Sequence, residues 1–86
     1  MVKVDIYVNS SCGYCFRAKQ LLQHYKIKYH EIDITGKPQI KSEMIKRSKG
    51  CSTVPQIFID DNHIGGCDDL YDLERQGKLA ALLQKK

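Results

Sequence analysis

Two cysteines, Cys12 and Cys15, stand three residues apart where a strand pattern gives way to a helix pattern. The run Val2-Lys3-Val4-Asp5-Ile6-Tyr7-Val8 alternates apolar and polar residues, which is the period of a strand. Asn9-Ser10-Ser11 breaks that run with loop-forming residues. Downstream, Ala18, Leu21, Leu22 and Tyr25 recur at i, i+3, i+4 and i+7, one face of a helix. The pattern predicts Cys12 at the helix N-terminus and Cys15 one turn further in. Residues three apart on a helix have Cβ atoms about 5–6 Å apart, so a modest adjustment closes a disulfide. First-turn amides and the helix dipole favour an anion at Cys12, and the thiolate is the reactive form of cysteine. This spacing describes a redox-active dithiol.

Two other uses of the pair stay open on the residues alone. A Cys-x-x-Cys can be half of a structural zinc site, which needs a second pair of ligands. Cys51 and Cys67 form no second such motif, and His24, His30 and His63 show no ligand spacing. A structural disulfide is the other alternative, but so short a loop adds little stability and suits reversible chemistry better. A Cys-x-x-Cys beside a βαβ pattern favours the redox reading.

With 86 residues, the chain is expected to form one small domain over 1–86 with a single core. The first residues run straight into a strand, so no secretory leader is expected. No uninterrupted apolar run approaches a membrane span. Four cysteines without an export signal point to a reducing compartment and a cytoplasmic location. The formal charge of +4 is dispersed, with Lys46-Arg47 and Lys85-Lys86 the only close basic pairs. That distribution reads as a solvated surface and not as a nucleic-acid patch, although it would draw a small anionic substrate.

There is no repeat, low-complexity segment or linker. Ile27 to Asp33 reads as a second strand. Gly36-Lys37-Pro38 marks a turn and a helix start, with Ile40, Met44 and Ile45 as its apolar stripe up to about Ser48 and Gly50 as its stop. Gln56 to Ile59 is a short strand, Asp60-Asp61-Asn62 a turn, and His63-Ile64 the return strand of a hairpin. Gly65-Gly66 ends it. Leu70, Tyr71 and Leu73 lie on a helix stopped by Gly77, and Leu79 to Leu83 forms a last short helix. The order β-α-β-α-β-β-α predicts an α/β fold. It has a mixed four-stranded sheet, its first two strands parallel through a right-handed crossover, with helices on both faces.

Ser52-Thr53-Val54-Pro55-Gln56 precedes the third strand, and Gly65-Gly66-Cys67-Asp68-Asp69 opens the third helix. Taken singly, each is ordinary strand punctuation or a helix cap. Together with Cys-x-Tyr-Cys near the N-terminus, the ordered motifs resemble those of glutaredoxins of the dithiol type. The stretches Glu43 to Ser48, Thr53 to Asp60 and His63 to Tyr71 look most like the small bacterial glutaredoxin 3 type. The resemblance covers nearly the whole chain. It implies a thioredoxin fold, a cis Val54-Pro55 bond and glutathione-dependent reduction of protein disulfides and glutathione mixed disulfides.

Carried over by position, Cys12 resembles the exposed nucleophile and Cys15 the buried resolving thiol. Tyr14 looks like a ring flanking the bound tripeptide. Thr53 and Val54, beside Pro55, resemble the extended segment that pairs with glutathione like an added strand. Gly66, Cys67 and Asp68 resemble the grip on the γ-glutamyl end: helix amides for its carboxylate and Asp68 for its ammonium. Gln56 looks like a partner for the glycine carboxylate. The implied partners are glutathione and disulfide-containing or glutathionylated proteins. No nucleotide is required, no nucleic acid or membrane is expected as a partner, and a monomer is expected.

Two positions depart from the family pattern. Gly13 stands where proline is usual, and glycine loosens the turn. That substitution also resembles a subset of glutaredoxins holding an iron–sulfur cluster between two subunits, for which Cys12 would be the metal ligand. The chain's retained Tyr14 and Cys15 favour redox work over such a carrier. Asn9 stands where many members place a lysine that stabilises the thiolate and a glutathione carboxylate. Cys51 reads either as a small buried hydrophobe or as a regulatory thiol near the groove. Thioredoxin itself fits poorly, because its site resembles Trp-Cys-Gly-Pro-Cys and this chain has no tryptophan.

Overall fold

The computed structural model describes residues 2–83. Its elements are β1 (Val4–Val8), α1 (Gly13–His24), β2 (His30–Asp33), α2 (Pro38–Arg47), β3 (Gln56–Ile59), β4 (Asn62–Gly65), α3 (Cys67–Arg75) and α4 (Leu79–Leu83). The strands form one sheet in the order β2-β1-β3-β4. β1 runs parallel to β2 and antiparallel to β3, and β3 to β4 is an antiparallel hairpin. The mixed four-stranded sheet expected from the sequence is therefore present, and so are helices on both of its faces.

The alternation along β1 sorts two buried faces, not an inside from an outside. All five of its residues are buried, because helices cover each side of this central strand. Val4, Ile6 and Val8 join Ile57 and Ile59 of β3 under Ala18, Leu22, Leu70 and Leu79. The opposite face packs Tyr7 and Phe58 against Met44 of α2, with the two rings edge to face at 5.8 Å. Asp5 is on this second face and only 4% exposed. A buried carboxylate needs a cation, and Arg47 at the end of α2 donates to its Oδ2 at 2.9 Å. Arg47 also donates to the Tyr7 hydroxyl at 3.2 Å and lies 4.2 Å over the Phe58 ring.

β2 is shorter than expected. Its pairing with β1 begins only at Asp5 opposite His30, and Lys26 at the end of α1 adopts a left-handed turn with φ 56°. Residues 27–29 are spent on the connection. The hairpin turn is also tighter than expected: Asp60 and Asp61 alone take left-handed φ values of 51° and 67°, the two-residue arrangement that matches strand twist. Asn62 already belongs to β4. Each of these differences is a matter of one to three residues at an element's edge.

Candidate active site

The site is assembled from three chain segments: the N-terminus of α1, the loop before β3, and the N-terminus of α3. Asn9 shapes the first. Its Oδ1 accepts from the Ser11 amide at 3.1 Å, and its carbonyl accepts from the Cys12 amide at 3.2 Å, folding the loop into an Asx turn. Ser10 is pinned to the β2–α2 loop by its amide, which donates to Thr35 Oγ1 at 3.0 Å. Cys12 thereby becomes the N-cap of α1, with extended backbone angles. Its sulfur accepts from the Cys15 amide at 3.4 Å, and its thiol donates to the Val54 carbonyl at 3.8 Å.

The two thiols have different surroundings. Cys12 is half-buried, whereas Cys15 is buried among the core residues under α1 at 2% exposure. Burial disfavours a charged sulfur, and it is the main reason that the Cys15 thiol is pushed up to about 12; the neighbouring Cys12 sulfur adds to the rise. At neutral pH Cys15 is a thiol.

The Thr53–Val54 segment lies beside Cys12, and the Val54-Pro55 peptide that follows is cis, as the resemblance implied. Gly66, at the N-cap of α3, abuts that loop: a Cβ there would sit 3.3 Å from the Pro55 carbonyl oxygen. Gly65 is constrained more strongly, with φ +123° and the Asp69 carboxylate 2.3 Å from where a Cβ would lie. The Asp69 carboxylate uses that space to accept from the Gly66 amide at 3.0 Å. The first-turn amides of α3 are left without intrahelical partners by position. Asp68 is exposed beside them, while the Cys67 side chain is buried, and burial raises its thiol. Cys67 can therefore offer a ligand its backbone only.

Tyr14 is 56% exposed on the first turn of α1 and lines a shallow depression of about 320 Å³ with Gly13 and Arg17. A larger trough of about 600 Å³ lies along α2, lined by Gln39, Ser42, Glu43, Lys46 and Arg47, and includes no residue of the dithiol site. Arg17 leans over the Tyr71 ring of α3 at 5.5 Å, and the Tyr71 hydroxyl donates to the Arg17 carbonyl at 3.0 Å. Lys19 turns the other way and pairs with Glu31 on β2 at 3.2 Å.

Gln56, expected to meet the glycine carboxylate, has partners within the protein. Gln56 is 3% exposed and points inward from β3. Its Nε2 donates to the Thr53 carbonyl at 2.9 Å and lies 3.3 Å from Thr53 Oγ1, and its Oε1 meets His63 Nε2 at 2.6 Å. Its amide nitrogen thus faces Thr53 and its oxygen faces His63. His63 was not singled out from the sequence for this site. A signal was present: Gln56 and Phe58 alternate onto one sheet face, and Phe58 is paired across the hairpin with His63. Cys51 is half-buried, and its amide and carbonyl are both tied to Ser48 Oγ at 3.1 Å.

Among the described residues, no group of three or more His, Cys, Asp or Glu side chains could hold a metal ion. No helix among them is long and apolar enough to cross a membrane.

A family model described as Glutaredoxin matches residues 4–64. Glutaredoxin 3 of Escherichia coli strain K12 is 52% identical over 84 residues, covering 98% of this chain and 100% of that protein. The solution structure of a glutaredoxin from Brucella melitensis superposes with a TM-score of 0.84 at 50% identity, covering 98% of this chain and 90% of that one. The crystal structure of a buckwheat glutaredoxin–glutathione complex gives a TM-score of 0.86 at 30% identity, covering 95% and 76%. A dithiol at a helix start, a cis-proline loop and a glycine-led third helix thus sit in a chain that belongs to the glutaredoxin family of thiol–disulfide oxidoreductases.

Proposed function

We propose that the chain uses glutathione as its reductant and acts on protein disulfides and glutathione mixed disulfides through Cys12 and Cys15. The observation that carries this reading is the contrast between the two sulfurs. Cys12 is half-buried and receives a helix amide, whereas Cys15 is buried and kept as a thiol by that burial. A thiolate attacks and a thiol waits.

With a glutathionylated protein, the Cys12 thiolate forms a bond to the glutathione sulfur and the protein thiolate leaves. A second glutathione thiolate then attacks the adduct, releasing oxidised glutathione and returning Cys12 as thiolate. With a protein disulfide, the Cys12 thiolate bonds to one protein sulfur as the S–S bond breaks and the other protein sulfur leaves as a thiolate. Cys15 then attacks the Cys12 sulfur, passing its proton to the departing protein thiolate and leaving a Cys12–Cys15 disulfide. Two glutathiones reduce that bond and become oxidised glutathione. No nucleotide enters these steps.

Glutathione fits along the three segments. Its cysteine backbone pairs with Val54 as an added strand beside Thr53 and Pro55. Beside Gly66, its γ-glutamyl carboxylate takes the amides at Cys67 and Asp68, and its ammonium faces the Asp68 carboxylate. Tyr14 flanks the peptide. The buckwheat relative, solved as a glutathione complex, supports this choice of tripeptide. The chain works as a single-domain monomer in a reducing compartment such as the cytoplasm, where glutathione is available.

The test is turnover of a glutathionylated peptide coupled to glutathione reductase and NADPH, compared with coupling to thioredoxin reductase. Robust rates only in the first support the reading, and rates only in the second reject it.

A second reading, a glutathione-ligated iron–sulfur carrier, is favoured by Gly13, around which there is open space. Of the two motif thiols Cys12 alone is accessible, so the donor set fits a cluster only if two chains and two glutathione thiolates share it. A brown colour after anaerobic purification with glutathione supports the carrier.

A further inference from the structure

The geometry points to His63 as a positioning residue for the Thr53–Val54 segment, acting through Gln56; this inference deepens the glutathione reading above and rests on it. A carbonyl oxygen accepts hydrogen bonds and cannot donate them. The Gln56 atom 2.9 Å from the Thr53 carbonyl must therefore be its amide nitrogen, and its oxygen faces His63 at 2.6 Å. That oxygen is an acceptor, so the ring nitrogen opposite it must carry a proton. The neutral His63 ring is thereby fixed as its Nε2–H tautomer.

The ring is held for this task. His63 pairs across the hairpin with Phe58 and stacks on it with centroids 5.0 Å apart and planes tilted by 35°. Phe58 is in turn covered by Arg47. From that platform the Nε2–H orients Gln56, and Gln56 fixes the Thr53 carbonyl and lies within reach of its hydroxyl. The next carbonyl, that of Val54, is the acceptor beside the Cys12 thiol. His63 itself is exposed, yet it anchors the strand-like edge on which the substrate's backbone pairs. A loosened edge weakens substrate binding and leaves the thiol chemistry at Cys12 unaltered.

Three measurements test this. Nitrogen-15 spectra of the unmodified protein, recorded where the ring is neutral, should show His63 as the Nε2–H tautomer; the Nδ1–H tautomer would overturn the proposal without recourse to any variant. His63→Phe keeps the stack and loses the donor. It should raise KM for a glutathionylated peptide about fivefold, the scale of one neutral hydrogen bond, with kcat within about twofold. His63→Gln, which can still donate, should recover part of that loss. An unmoved KM in His63→Phe, a fall confined to kcat, or equal defects in both variants would overturn the role. Wild-type turnover supported by thioredoxin reductase and not by glutathione with glutathione reductase would overturn the glutathione reading and this inference together; glutathione-coupled wild-type turnover with an unmoved variant overturns the inference alone.

Discussion

The amide of Cys15 points at the sulfur of Cys12 across 3.4 Å. One helical turn therefore supplies the attacking sulfur, a hydrogen-bond donor to it and the second thiol of the motif. Cys12→Ser should abolish every exchange activity. Cys15→Ser should retain reduction of glutathione mixed disulfides and lose most protein-disulfide reduction. Rates on the two substrate types check this, and the reverse pattern would exchange the roles of the cysteines.

Cys15 should be silent toward alkylation at neutral pH and react only in strong base, because burial pushes its thiol up to about 12. Between an ordinary thiol value of about 8.5 and about 12, the unfolded chain loses the Cys15 proton while the folded chain keeps it. Stability from this group is fully present below the lower value and falls as pH rises through the window. Cys67, also raised by burial, adds to the fall. Urea midpoints across alkaline pH measure it, and Cys15→Ala should flatten part of the decline.

Much of this arrangement is legible in the chain, and the exceptions have physical reasons. The dithiol, the cis-proline loop and the glycine-led helix are local patterns, each set by a few adjacent residues. The polar layer is not local. Asp5 finds Arg47 across the α2 face of the sheet, and nothing near Asp5 in the chain names its partner. Gln56 looks like a groove residue because it follows the Thr-Val-Pro loop. Strand alternation turns it to Phe58's face, where Thr53 and His63 are its partners. The early start expected for β2 fails because β1 offers its first partner only at Asp5.

Arg47→Met should be among the costlier substitutions outside the site. It removes the nearest cation from the buried Asp5 carboxylate, leaving Lys3 at 4.0 Å and the His30 ring at 3.7 Å, and breaking such a pair typically costs about 3–5 kcal/mol. The lower end is expected because the Arg47 side chain is 25% exposed. Chemical denaturation measures the loss. Asp5→Leu combined with Arg47→Met should cost less than the two changes summed, since the residues share one interaction.

Asp68→Ala should raise KM for glutathione with little change in stability. A hydrogen bond to a charged group is worth about 1.5–3 kcal/mol, and the exposed position of Asp68 puts the effect toward the lower figure. Steady-state kinetics with glutathione varied would show it, and an unchanged KM would remove Asp68 from the site.

Peptide-mapping mass spectrometry decides whether Cys12 alone receives the glutathionyl group and whether Cys15, when no reduced glutathione competes, can displace a thiol from it. Cys15→Ser protein, incubated with oxidised glutathione, should carry one glutathione, on Cys12. The unmodified sequence treated alike should end with a Cys12–Cys15 disulfide and no retained adduct. Glutathione found on Cys51 or Cys67 while Cys12 stays free would contradict the account.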